Sequence, residues 1–451
     1  MIKRFNESVL ILFILFSGFT EVQSQVFWNE VTTPVSTPLR CVSNISGYVA
    51  WACGANGVVL KTTDMGYTWV NYTGNGIPTT YTLINIFGID ILTAIVAGYS
   101  GTTTFAYRTS NGGSNWTQVF TQANGFIDGV WMTSALNGFM VGDPVPAAGG
   151  RWSLWKTTNG GINWDSTGLH LPGVGSESGW NSSFWIQNTK IWFGTNSSKI
   201  YYSSNYGLNW TAQTTFTDVN CYSICVDTTN TGLAGGNTAL MRTTNGGVNW
   251  GALTAPGTGS INGVAIAKQY MNAAWYIRSG NTIYFSYYPF ISWTPQYTTS
   301  SGTYNHIAVY RQPNFGAGMI YAVKSNGGIT RGNFIIEGVK ILSNEIPALF
   351  KVYQNYPNPF NPQTKIKLEV PLLKSNIQGE VRGALIKIKI YDALGREVEQ
   401  VLDQITQPGV YEAVWNGTNY PSGVYYYMVT IVDPQNSAVD YRETRKMVLL
   451  K

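Results

Sequence analysis

The sequence predicts an all-β protein, a seven-bladed β-propeller followed by a small immunoglobulin-like antiparallel β-sandwich. The 451 residues are 11% charged and 14% aromatic and include 49 glycines, a composition typical of short strands and tight turns. A short motif recurs at a period typical of four-stranded blades. The density of charge also rises at one point. Residues 1–350 hold 29 Asp, Glu, Lys and Arg, whereas residues 351–451 hold 22, which marks a domain boundary.

Residues 1–24 are predicted to be an export signal peptide. Lys3 and Arg4 form a basic start, Val9–Phe16 is an unbroken apolar run, and Val22-Gln23-Ser24 offers a peptidase site. The alternatives are a buried N-terminal strand or a membrane anchor, but the run is too short to span a bilayer as a mature helix. The mature chain is expected to begin at Gln25 and to have no transmembrane segment.

A motif of Thr or Ser, then Asp or Asn, then Gly and finally Trp recurs along the chain. The copies are Thr62–Trp69, Thr109–Trp116, Thr157–Trp164, Ser203–Trp210 and Thr243–Trp250, with a worn copy ending at Trp293 and a truncated copy, Ser325–Thr330, followed by Arg331 in place of Trp. The Trp residues are 47, 48, 46, 40 and 43 positions apart, about one blade each. Because Asp or Asn accepts backbone hydrogen bonds and Gly adopts positive φ, each copy is predicted to be a turn.

This motif resembles the Asp-box (BNR repeat) of sialidases, sortilins and related propellers. Together with the preceding Ala52–Lys61, which other blades echo, it resembles the photosystem II assembly-factor-like propellers over residues 26–331. The resemblance implies that the boxes are structural turns on the face opposite the ligand site.

The N-terminal strand is predicted to close the ring. Phe27–Val31 resembles the strand after each box, and Trp28 lies 41 positions before Trp69. We therefore expect Trp28 in the outermost strand of the blade that contains Asn326-Gly327-Gly328. The alternative is that residues 332–338 take this place.

Residues 332–348 are expected to be a linker, and residues 349–451 a second domain. The entry Tyr356-Pro357-Asn358-Pro359, the turn Asp392–Val398 and the final strand Lys446–Lys451 resemble the C-terminal sorting domain (type A) of type IX secretion substrates. The resemblance implies passage across the outer membrane by that machinery as a partner, and a secreted or cell-surface location. The alternative is an accessory binding sandwich.

One set of side chains is predicted to meet on the face opposite the boxes, around blades three and four. They are Asp128, Asp143, Arg151, Trp152, His170, Glu177 and Trp180. A few carboxylates, a cation and aromatic rings suit non-catalytic binding of a glycan or a surface protein. Two alternatives stay open. The carboxylates could be solvated loop residues, or Asp128, Asp143 and Glu177 could hydrolyse a glycoside, although no arginine lies in the sialidase active-site pattern.

Other function classes find little support. The net charge of +5 is small for this length and argues against nucleic-acid binding. No phosphate-binding loop or dinucleotide fingerprint occurs, and the two His and four Cys lack metal-site spacing, so neither a cofactor nor a metal is expected. Cys41 and Cys53 could face each other across a hairpin, and Cys221 and Cys225 are expected to be small buried residues.

Overall fold

A computed structural model describes residues 26–45, 49–146, 150–267, 272–309, 317–335, 339–343, 347–371, 384–406, 409–432 and 439–451. The predicted signal peptide therefore lies outside the described residues. The described chain is built of antiparallel strands, with one 3-10 turn at Gly417–Asn419.

Residues 26–335 form seven sheets in the described part of the chain. From the centre outwards, blade one consists of β2 (Leu39–Asn44), β3 (Ala50–Gly54), β4 (Val59–Thr62) and β5 (Val70–Asn71). Blade two consists of β6 (Thr82–Gly88), β7 (Ala94–Ser100), β8 (Thr103–Thr109) and β9 (Thr117–Ala123). Blade three consists of β10 (Ile127–Met132), β11 (Gly138–Val145) and β12 (Arg151–Thr157).

The remaining blades follow the same order. Blade four consists of β13 (Gly179–Gln187), β14 (Lys190–Thr195), β15 (Ile200–Ser203) and β16 (Thr211–Gln213). Blade five consists of β17 (Ser223–Val226), β18 (Gly232–Gly235), β19 (Leu240–Thr243) and β20 (Gly251–Leu253). Blade six consists of β21 (Ile261–Ala267), β22 (Ala273–Arg278), β23 (Thr282–Tyr287) and β24 (Thr294–Thr298). Blade seven consists of β25 (Tyr304–Val309), β26 (Ala317–Lys324), β27 (Ile329–Ile335) and β1 (Val26–Val31).

The blades form a closed ring. The first strand of each blade contacts the first strand of the next, and β25 of blade seven returns to β2 of blade one. These inner strands surround a central cavity of about 50 Å³, lined among others by Asn85, Ser182 and His306. The predicted all-β propeller architecture is confirmed.

The antiparallel order gives the ring two unlike faces. The repeated motif connects the third and fourth strands of a blade, and we call its face the turn face. The opposite face, the loop face, carries the connections from the second to the third strand and from one blade to the next.

The N-terminal strand closes the last blade as predicted. β1 pairs antiparallel with β27, with Trp28 opposite Gly332, and it is the outermost strand of its sheet. Trp28 stacks on Tyr297 of blade six at a centroid distance of 5.9 Å. Glu30 forms an ion pair with Lys324, whose side chain is 3% exposed. The ring is therefore held by residues from both ends of the propeller sequence.

Two predictions about this region are wrong. Ser325–Thr330 is not a seventh copy of the repeated turn, because it lies in the hairpin between the second and third strands of its blade. Asn-Gly pairs suit any tight turn, so composition alone did not distinguish the two positions. The stretch predicted as a linker is also partly strand. Residues 332–334 pair with β1, and β28 (Val339–Ser343) pairs with β33 (Gly409–Asn416) of the following domain.

The second domain is an antiparallel sandwich with one apolar core. Its first sheet has the order β28, β33 (Gly409–Asn416), β30 (Gln363–Val370) and β29 (Lys351–Val352). Its second sheet has the order β32 (Glu397–Thr406), β31 (Ala384–Asp392), β34 (Gly423–Val432) and β35 (Val439–Leu449). Alternate residues of these strands are buried, for example Ile386, Ile388 and Ile390, as expected where two sheets pack face to face.

All four cysteines are buried, and no disulfide joins them in the described part of the chain. Cys41 lies opposite Cys53 across the β2–β3 pair, as the hairpin spacing predicts. Burial raises the pKa of the Cys53 thiol well above its usual value. Cys221 and Cys225 are the small buried residues that the sequence predicts.

Candidate functional site

Two aspartates meet on the loop face of blade three. Asp128 lies near the start of the inner strand β10, and Asp143 near the end of its neighbour β11. Gly179, the first residue of the next blade, contacts both. Its N–H donates to Asp143 Oδ1 at 2.7 Å, and a Cβ atom at position 179 would lie 2.3 Å from Asp128 Oδ2. Glycine is therefore required here for close approach, not for its turn geometry.

The surroundings of this pair raise the pKa values of both carboxyls. Asp128 is 3% exposed, and its Oδ2 has no hydrogen-bond partner among the described residues. Burial raises its pKa well above the usual value, and the charge of Asp143 raises it further. Burial also raises the pKa of Asp143, to about 6, although the bond from Gly179 opposes this shift. The pair therefore holds protons at pH values where ordinary aspartates have lost them.

Glu177 belongs to a different cluster. It is 4% exposed, forms an ion pair with Lys199 and accepts a hydrogen bond from the Tyr201 hydroxyl at 2.8 Å. Burial, and then Glu177 itself, raises the pKa of Tyr201. Both oxygens of Glu177 thus bind residues of blade four. These contacts link the connection between blades three and four to β15, the third strand of blade four.

Trp180 is a half-buried aromatic residue of the loop face. Its indole Nε1 donates to Asn220 Oδ1 at 3.1 Å, and its ring meets Tyr222 edge-to-face at 4.6 Å. Asn220 in turn donates to Asn237 Oδ1 at 2.9 Å. Two aromatic rings beside two linked amides form a platform between blades four and five.

The structure separates the other predicted residues from this platform. Trp152 is 2% exposed and packs on Phe193 at 4.7 Å, so its prediction as a surface aromatic is wrong. The strand alternation directs its side chain into the contact with blade four. His170 is exposed. It lies in the connection from blade three to blade four, between the buried Leu169 and Leu171. Arg151 is exposed at the start of β12 and lines a separate cleft between blades two and three.

Sequence reasoning missed four residues of the loop face. They are Gly179, Lys199, Asn220 and Tyr222. No motif marks them, since each acts through a contact with another blade. A usable signal was the position of Lys199, because it stands four residues before the first hydroxyl of the repeated turn, where other blades carry uncharged residues.

Residues 354–439 match the family model of the secretion system C-terminal sorting domain. The chain therefore carries a secretion sorting domain. The sorting domain indicates a secreted or outer-surface protein that engages the type IX secretion machinery. In the described residues, no helix has the length and apolar character needed to cross a membrane.

Solved structures resemble the propeller. A structure titled YCF48 bound to D1 peptide shares 15% identity, covering 67% of this chain and 96% of that one at a TM-score of 0.53. YCF48 from Cyanidioschyzon merolae shares 18%, covering 67% and 98% at 0.53. The WD40 propeller domain of Doa1 shares 10%, covering 67% and 95% at 0.51. At these identities the likeness concerns the fold. A search of curated proteins gave no match.

Proposed function

We propose that this protein is an exported β-propeller that binds a glycan or a surface protein on its loop face, without catalysis. The observation that carries the proposal is the platform of Trp180, Tyr222, Asn220 and Asn237. Aromatic faces with fixed amide groups provide apolar contact and directed hydrogen bonds together. This combination suits sugar rings, which present C–H faces and hydroxyl edges.

The carboxylates support binding more than hydrolysis. Glycoside cleavage needs two carboxyls that reach the same bond. Asp128 is 3% exposed, and both oxygens of Glu177 are held by Lys199 and Tyr201. Of the three predicted candidates, Asp143 alone is half-exposed.

Glycoside hydrolysis is the second candidate because of one observation. The pKa of Asp143 is raised to about 6, which suits a general acid near neutral pH. If the protein is a hydrolase, Asp143→Asn will abolish turnover, whereas Asp165→Asn, at an exposed carboxylate of the same blade, will not.

A glycan array and a hydrolysis screen on the full mature chain test both candidates. We expect binding without turnover, and we expect Trp180→Ala to weaken binding about tenfold or more through loss of the aromatic contact. The matched control is Tyr67→Ala, an aromatic residue 46% exposed on the turn face, which should bind normally. Equal loss in both variants would contradict the assignment of the site to the loop face.

Delivery is tested separately. A chain ending after Ile335, the last residue of β27, retains all propeller strands but lacks the sorting domain. We expect it to fold and to stay inside the outer membrane. Normal amounts of it outside the cell would contradict the proposed route.

A further inference from the structure

A cleft of about 190 Å³ lies between blades two and three, away from the Trp180 platform. Its walls include Gln122 of β9, Val145 of β11 and the five β12 residues from Arg151 to Trp155. The intervening Trp152 packs towards blade four. Since side chains alternate along a strand, Arg151, Ser153 and Trp155 face blade two. Trp155 confirms this direction, because its ring contacts Phe120 of β9 at 4.9 Å.

Ser153 is shorter than the residues at the same position in the two neighbouring blades. The residue four positions before the first hydroxyl of the repeated turn is Phe105 in blade two, where it stacks on Tyr81 at 4.7 Å. In blade four it is Lys199, which reaches Glu177. In blade three it is Ser153, so the space that a ring or a long side chain fills in these neighbours stays open.

Three polar atoms in the walls are buried without a hydrogen-bond partner in the described part of the chain. They are Ser153 Oγ, Trp155 Nε1 and Gln122 Oε1. Ser153 is 5% exposed. Buried polar groups are nearly always hydrogen-bonded in folded proteins. Three of the sixteen unpartnered buried side-chain atoms in the described residues border this one cleft, and this grouping points to a polar ligand.

The chemistry of the walls limits the ligand. The indole N–H can only donate, the serine hydroxyl can donate or accept, and the glutamine oxygen accepts. Arg151 is exposed at one end, and among the described residues no ion pair involves it. A guanidinium is well suited to a carboxylate. The volume is below that of ordinary drug-sized pockets, about the size of one sugar ring.

We propose that this cleft binds a hydroxylated carboxylate the size of a single sugar ring, a hexuronate. The carboxylate contacts Arg151, and the hydroxyl groups contact Ser153, Trp155 and Gln122. This site is independent of the proposed loop-face function, since none of its residues belongs to the Trp180 platform.

Isothermal titration of the full mature chain with glucuronate and galacturonate tests the proposal, with glucose and galactose as neutral controls. We expect binding of at least one uronate in the millimolar range. Arg151→Gln, Ser153→Ala and Trp155→Phe should each weaken it several-fold to about tenfold. Arg40→Gln, at an exposed arginine of blade one, and Trp180→Ala, at the other site, should leave it unchanged.

Thermal denaturation provides the second measurement. Removing an unpartnered buried hydroxyl or N–H does not break a hydrogen bond, so Ser153→Ala and Trp155→Phe should melt at the same temperature as the wild type or higher. Three results would overturn the proposal. These are no uronate binding at about 10 mM, equal binding of the neutral sugars, or Ser153→Ala melting several degrees lower.

Discussion

The chain reverses direction on both faces of the ring, but different contacts stabilise the connections on each face. On the turn face, each of five copies repeats one set of bonds. The first hydroxyl accepts from the glycine N–H at 2.8–3.0 Å, and the Asp or Asn accepts from the N–H four residues on at 2.9–3.0 Å. On the loop face, blade three places two aspartates with raised pKa values against a glycine, whereas blade four places an ion pair.

This difference separates architecture from candidate function. A turn whose side chains bind its own backbone N–H groups needs no contact with other parts of the chain, so it can be repeated in every blade. A buried carboxyl without a hydrogen-bond partner for one oxygen destabilises the fold and has no local structural benefit. Departures from the repeat are therefore the better guide to binding positions than the repeat itself.

The largest expected loss of stability comes from removing β1, the strand that closes the ring. Deleting residues 26–31 removes the pairing with β27 and leaves Lys324, 3% exposed, without Glu30. We expect a loss of at least about 5 kcal/mol in the free energy of unfolding, since a broken buried pair alone costs about 3–5 kcal/mol. Urea denaturation should show one cooperative transition at lower urea for the whole propeller. An unchanged midpoint would mean that β1 is an appendage.

On the turn face, Trp116→Ala should cost about 3–5 kcal/mol, the usual range for emptying a large aromatic site. Trp116 is 3% exposed and meets Trp51 edge-to-face at 5.8 Å. Trp164 is only half-buried, so Trp164→Ala should cost less. Loop-face binding should survive in both folded variants. Loss of binding without loss of stability would break the division between the faces.

On the loop face, pH should act through the aspartate pair. The folded-state pKa of Asp143, about 6, lies above that of an unfolded aspartate, so its contribution to stability is present at low pH and is lost as pH rises from about 4 to 6. We expect wild-type stability to fall by roughly 2 kcal/mol more than that of Asp143→Asn over this window. Asp165→Asn, at an exposed residue whose pKa is lowered by Thr167, serves as the control. Parallel pH profiles for wild type and Asp143→Asn would contradict the raised pKa.

The smallest expected change in stability concerns two hydroxyl groups of strand β12. Thr157 accepts from Gly161 N–H at 3.0 Å and donates to Asn159, so Thr157→Val should cost about 1–2 kcal/mol. Ser153, four residues earlier, has no hydrogen-bond partner within the described ranges, and Ser153→Ala should be neutral or stabilising. Calorimetric melting of the two variants measures the contrast directly. Equal destabilisation would remove the distinction between the repeated turn and the cleft.

The repeat made most of the fold predictable. The Trp spacing and the local chemistry of the turns are properties of adjacent residues, and so is the β1 pattern around Trp28. The seventh copy was misplaced because Asn326-Gly327 fits a hairpin as well as a repeated turn. Trp152 was misplaced because strand alternation states that neighbours point to opposite sides but not which side meets the next blade. The pairing of Asp128 with Asp143 through Gly179 depends on contacts between blades, which sequence spacing does not contain.

Closure by β1 also imposes an order of events. Glu30 meets Thr330 across 300 positions of sequence, so a chain that emerges from its N-terminal end must hold its first strand unpaired until nearly the whole propeller has followed. Blades one to six can condense with their neighbours beforehand, but the ring cannot lock. Formation of the β26–β27 hairpin therefore determines when the ring can close. Until blade seven has emerged, the other six blades form an open ring.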